Sequence, residues 1–142
     1  MTPVRTRPSS AIAPARRCAY TVLRRVFERG AYADRALRAE AGTLDGRDRA
    51  LATRLSYGAV QRRGTLDHLI ALLAGREPSR LDGPVLAALR LGAYELLFVA
   101  ETPPNVALDE AITLARRYGS ADSPAFVNGV LDRLRPSSPD PV

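Results

Sequence analysis

Residues 85–100 read VLAALRLGAYELLFVA, and this stretch decides the fold. Its apolar side chains fall on every side of the helix they describe, with Arg90 and Glu95 as the only charges. A helix on a protein surface keeps one apolar stripe, whereas one that is apolar nearly all round must be wrapped by others. The spacing therefore predicts a central helix over 84–100. Asp82 and Pro84 mark its start, because proline is tolerated in the first helical turn, and Pro103-Pro104 stop the chain beyond it.

The flanking segments supply the wrapping. Ala15, Cys18, Ala19, Val22, Leu23, Val26 and Phe27 recur at helical spacing from Pro14, and Gly30 ends that run. A short helix is expected over 33–41, followed by a third that Asp45 or Asp48 can cap and that carries Ala50, Leu51, Leu55 and Tyr57 toward Arg62. Gly64 breaks the register, so a fourth helix is expected from Thr65 to Gly75, and REPSRLDGP is loop. Asn105 can cap a sixth helix that closes at Gly119, and Asp122 or Ser123 a last one with Pro124 in its first turn. No run alternates with period two. The fold class is all-α: about seven helices in two helical subdomains, spanning residues 14–135 between a flexible arm, 1–13, and a disordered tail, 136–142.

The last helix holds a puzzle. In AFVNGVLDRL, residues 125–134, Phe126, Val127, Val130, Leu131 and Leu134 share one face, while Asn128 and Gly129 sit opposite. Glycine costs roughly 1 kcal/mol relative to alanine inside a helix. The expectation is that Gly129 lets another backbone come close and that Asn128 bonds a neighbour. That face would meet the first helix or a nucleic acid, with Phe126 at its edge.

Charge is distributed unevenly along the 142 residues. All 21 basic residues are arginine, and seven of them lie in residues 1–29 against a single acid, Glu28. The rest of the chain balances, so the formal net charge of +6 resides in the arm and first helix. A polyanion such as RNA or DNA suits this asymmetry, and so does a plain solubilising tail. Arg5 and Arg7 lie in the arm. Arg16, Arg17, Tyr20 and Arg24 fall within one arc of about 100° on the first helix, a flank able to pair with phosphates and stack a base.

Signs of catalysis are scarce. The single His68 has only Asp67 beside it, and helix neighbours diverge by about 100°, so a hydrolytic triad is unsupported. No glycine-rich phosphate loop occurs, no cofactor is indicated, and Asp109-Glu110 read as the solvated first half of a helix. One cysteine, Cys18, excludes an internal disulfide and fits a cytoplasmic location. No window reaches the roughly 18 apolar residues that a membrane span needs. A non-enzymatic binding protein is expected.

The order ARRCAYTVLRRVFERG, LSYGAVQRRGTLDHLI, ALRLGAYELLF and PPNVALDEAITLARRYGSADSPAFVNGVLDRL resembles the NusB family of bacterial transcription antitermination factors over about residues 12–135. Its most specific block is the last, with DEAI, a Gly-Ser turn and FVNGVLD. The resemblance implies a two-subdomain helical fold that binds boxA RNA of ribosomal RNA operon transcripts. The partners it implies are the ribosomal protein NusE and the RNA polymerase antitermination complex. Carried over by position, Arg16 matches an arginine of the family's arginine-rich motif. Phe126 matches an aromatic of the RNA surface, and Asp122 an acidic position that modulates assembly. Ile12, Ala13 and Pro14 stand where the motif has further arginines, and the NusE-facing side chains are not reproduced around Leu73 and Ser79.

The segment SYGAVQRRGTLDHLI is also similar to the NusB-like N-terminal domain of ribosomal RNA cytosine-5 methyltransferases. A chain that stops at Val142 with a proline-rich tail is expected to lack their activity and to keep RNA binding alone. A protein-interaction bundle without RNA accounts for the helices but leaves the concentrated charge without a use.

Overall fold

The computed structural model describes residues 11–135, so Arg5, Arg7 and the tail 136–142 lie outside the described residues. Seven α-helices follow one another: α1 Pro14–Arg29, α2 Ala33–Glu40, α3 Gly46–Gln61, α4 Arg63–Ala74, α5 Gly83–Phe98, α6 Pro104–Tyr118 and α7 Ser123–Asp132. A single 3-10 turn, Pro78–Arg80, joins α4 to α5. No strand occurs among the described residues.

Local chemistry sets the boundaries. Pro14 opens α1, and Gly30, at φ 69°, closes it. The Gly30 and Ala31 amides donate to the carbonyls of Val26 and Arg25, which satisfies groups a helix end would leave bare. The Asp45 carboxylate accepts from the Asp48 amide at 2.8 Å and starts α3. Helix α4 begins at Arg63 rather than Thr65, and Gly64 lies inside it. The break falls instead at Arg62. Neither Asn105 nor Asp122 caps through its side chain, since α6 starts with Pro104 after Pro103, and the hydroxyl of Ser123 accepts from the Ser120 amide at 2.9 Å.

Helix α5 is the expected centre, with every residue from Ala87 to Glu95 buried and α1, α3, α4, α6 and α7 packed around it. Close approach on two sides depends on missing side chains. A Cβ on Gly92 would stand 2.6 Å from Leu131 Cδ1 and 2.9 Å from Ala111 Cβ, so α6 and α7 lie nearly on its backbone. On the other side a Cβ on Gly58 of α3 would meet the Tyr94 hydroxyl at 2.0 Å. The buried side chains form two clusters. The larger surrounds α5, and the smaller joins α1, α2 and α3 through Ala15, Cys18, Val22, Ala36, Leu37, Ala41 and Ala52.

The two charges of α5 are both buried and both paired. Arg90 gives Asp67 two hydrogen bonds, at 2.8 and 2.9 Å, and lies 4.1 Å from the centre of the Phe27 ring. Glu95 holds Arg16. Two expectations need correction. Glu110 is buried rather than solvated, and accepts from the Ala13 amide at 3.2 Å. Asn128 and Gly129 face solvent, and a Cβ on Gly129 would touch nothing within 4 Å, so no backbone packs there.

Candidate nucleic-acid interface

The first turn of α7 and the linker after α4 meet at one concave surface. Gly75, again at φ 69°, turns the chain out of α4, and Arg76, just after it, and Arg80, in the 3-10 turn that follows, lie beside the start of α7. Arg76 lies 5.4 Å from the centre of the Phe126 ring. A hollow of about 270 Å³ is bounded by Arg76, Arg80, Asp82, Ser120, Asp122 and Phe126. Both arginines are exposed, and Phe126 is half-buried and lines the hollow. This provides cations for phosphate and a ring face for a base within one small surface.

A second groove, of about 390 Å³, lies beside it between α1 and the end of α6. Tyr118 stacks on Tyr20 with ring centres 5.0 Å apart, and the Tyr20 hydroxyl donates to the Pro84 carbonyl at 3.0 Å. That packing divides the groove from the hollow. Arg24, Arg25 and Arg29 line the groove wall. Arg24 pairs with Glu28 at 2.8 Å and Arg25 with Glu40 at 2.9 Å. Exposed pairs of this kind are worth at most about 1 kcal/mol, so a phosphate can displace either carboxylate.

The expected flank of α1 is thus only half present. Arg17 is exposed and Arg24 half-exposed. Arg16 is turned inward, its Nε 2.9 and 3.1 Å from the Glu95 carboxylate oxygens, with Nη2 on the same group. Tyr20 is 1% exposed, too deep to stack a base, and burial pushes its hydroxyl up to about 12 against the lowering influence of Arg24. Tyr118 takes the outer position instead. Asp122 and Phe126 do come together, while Asn128, some 200° round α7 from Phe126, points away from them. Arg76, Arg80 and Tyr118 were missed by sequence reasoning. The two arginines of REPSRLDGP were the available signal, but nothing local places that loop against α7.

Residues 13–136 match the profile of the NusB family. The chain belongs to the NusB family. A transcription antitermination protein NusB of Acinetobacter baylyi is 55% identical over 75 residues, 53% of this chain and 50% of that relative. The chain thus spans about half the length of that relative. A Mycobacterium tuberculosis protein, named provisionally as a methyltransferase, is 41% identical over 121 residues, 83% of this chain and 26% of its own. Among solved structures, a chain in the crystal structure of antitermination factors NusB and NusE with double-stranded RNA superposes with a TM-score of 0.79. It is 27% identical, and the match covers 85% of this chain and 92% of that one. The NusB fold therefore accounts for nearly everything described from α1 to α7.

Proposed function

We propose that this chain is an RNA-binding transcription antitermination factor that engages boxA-type single-stranded RNA of ribosomal RNA operons together with NusE, in the cytoplasm, as part of the RNA polymerase antitermination complex. The observation that carries this reading is the hollow where Arg76, Arg80 and Phe126 meet next to the arginine-lined groove of α1. Two concavities that each set arginines and an aromatic ring beside carboxylates suit a strand of nucleotides better than a compact small molecule. The neighbouring structure of NusB, NusE and RNA supports the same partners. The action is recruitment without bond-making. Arg17, Arg24, Arg76 and Arg80 take phosphates, with Arg5 and Arg7 of the arm adding to them, and Phe126 stacks a base.

The test is a titration of a boxA-like RNA and a scrambled RNA at two salt concentrations, with and without NusE. Preferential binding strengthened by NusE is expected. With about four phosphates neutralised by Arg17, Arg24, Arg76 and Arg80, log K falls with log salt at a slope near −3, from roughly 0.7 per phosphate on a single strand, and Arg5 and Arg7 steepen it. A second reading is favoured by the 41% identity to the methyltransferase-named relative: an RNA-binding domain akin to the one that precedes a ribosomal RNA methyltransferase. Equal binding of both RNAs, indifferent to NusE, would put that reading first.

A further inference from the structure

Arg16 presents a contradiction. Its charge and place in the first turn of α1 make it the natural phosphate contact, yet its side chain is 11% exposed and gives all its described hydrogen bonds to one carboxylate. Glu95 itself is 1% exposed, at the heart of α5. A guanidinium gripped through Nε and Nη2 at such depth cannot turn outward without leaving a buried carboxylate unpaired. One turn earlier the Ala13 amide is tied to the buried carboxylate of Glu110 on α6. Two carboxylates on two different helices therefore hold the start of α1, at the point where the segment bearing Arg5 and Arg7 joins the fold.

Resting on the RNA-binding reading above, we infer that Arg16 is a positioning residue: with Glu95 and Glu110 it fixes the root of the basic arm, and it contacts no phosphate. The arm gains by this what any tethered binding element gains from a fixed root, a higher effective concentration at the surface it serves. Arg17, exposed about 100° round the same turn, is the residue of that pair left for phosphate.

The experiment uses the full chain and boxA-like RNA, with every variant first shown by circular dichroism to be folded and assayed well below its melting midpoint. The variants are Arg16→Gln, Arg16→Lys, Arg17→Gln, Glu95→Gln and the Arg5→Gln/Arg7→Gln pair. Arg17→Gln is expected to reduce the salt slope by about 0.7. Arg16→Gln is expected to weaken binding with the slope unchanged, and Glu95→Gln to weaken it too, although it removes a negative charge. The loss from Arg16→Gln should shrink when Arg5 and Arg7 are already replaced, a coupling that a merely structural residue would not show. Arg16→Lys should leave a partial loss, because an ammonium cannot reproduce the two-pronged grip.

Three outcomes overturn the inference: a reduced slope for Arg16→Gln, binding by Glu95→Gln as tight as or tighter than wild type, or additive losses with the arm substitutions. Should Arg16→Gln or Glu95→Gln fail to fold, Ala13→Pro decides. It removes the amide bond to Glu110 and sets a ring carbon against that carboxylate, at a residue already at φ −59°, and unchanged RNA affinity would overturn the anchoring role. Absence of binding by the wild-type chain refutes the RNA reading itself.

Discussion

The hydroxyl of Ser56 is fully buried on α3 and has no hydrogen-bond partner among the described residues. A buried polar group left unsatisfied costs about 1–3 kcal/mol. Ser56→Ala is therefore expected to raise stability by about 1 kcal/mol in urea denaturation, and a loss would mean that the hydroxyl finds a partner in solution. Tyr20 makes the opposite kind of residue-scale statement. Its hydroxyl is held up to about 12, from an ordinary 10.0, chiefly by burial. The folded state thus keeps this proton longer than the unfolded chain does. Its contribution is complete below about pH 10 and is lost as the pH rises toward 12. Stability should fall over that window in the wild type and fall less in Tyr20→Phe, and parallel profiles would refute the assignment.

At the scale of the helix, two glycines with the same sequence signature have opposite meanings. Gly92 in α5 has neighbours where its side chain would be, and Gly129 in α7 has open space. Gly92→Ala should destabilise by about 1–3 kcal/mol through overpacking against Ala111 and Leu131. Gly129→Ala should stabilise by up to about 1 kcal/mol, because only helix propensity changes. Thermal melts of the two variants shifting the same way would contradict this difference.

The same contrast marks what could be read from the chain. Helix α5 was legible because an all-apolar surface has one physical explanation, and Gly30 and Asp45 announced their caps locally. Gly129 was misread because periodicity tells which face a residue occupies and not what stands opposite it. Arg16 was misread for a related reason: its partner is 79 positions away in sequence. Asp122 and Phe126 stand at the hollow where the family resemblance puts an RNA surface, but Arg76 and Arg80 reach it only through the turn after Gly75.

For the whole molecule, the arrangement of charge matters more than its sum. Replacing Arg76 and Arg80 together by glutamine should reduce the salt slope of RNA binding by about 1.4, at roughly 0.7 per phosphate. Phe126→Ala should leave the slope alone and cost about 1–3 kcal/mol of affinity through lost stacking. A titration in which both variants change the slope equally would mean that Phe126 acts by holding Arg76 and not by touching a base.

Helix α1 gives Ala19, Tyr20 and Leu23 to the larger buried cluster and Ala15, Cys18 and Val22 to the smaller. It is a shared wall between two rooms. If both rooms open only when the wall gives way, amide hydrogens in α2 and in α6 exchange through one common opening event despite their separation. A strand of RNA gripping the outer edge of α1 would then slow exchange on both sides at once, including at positions it never touches.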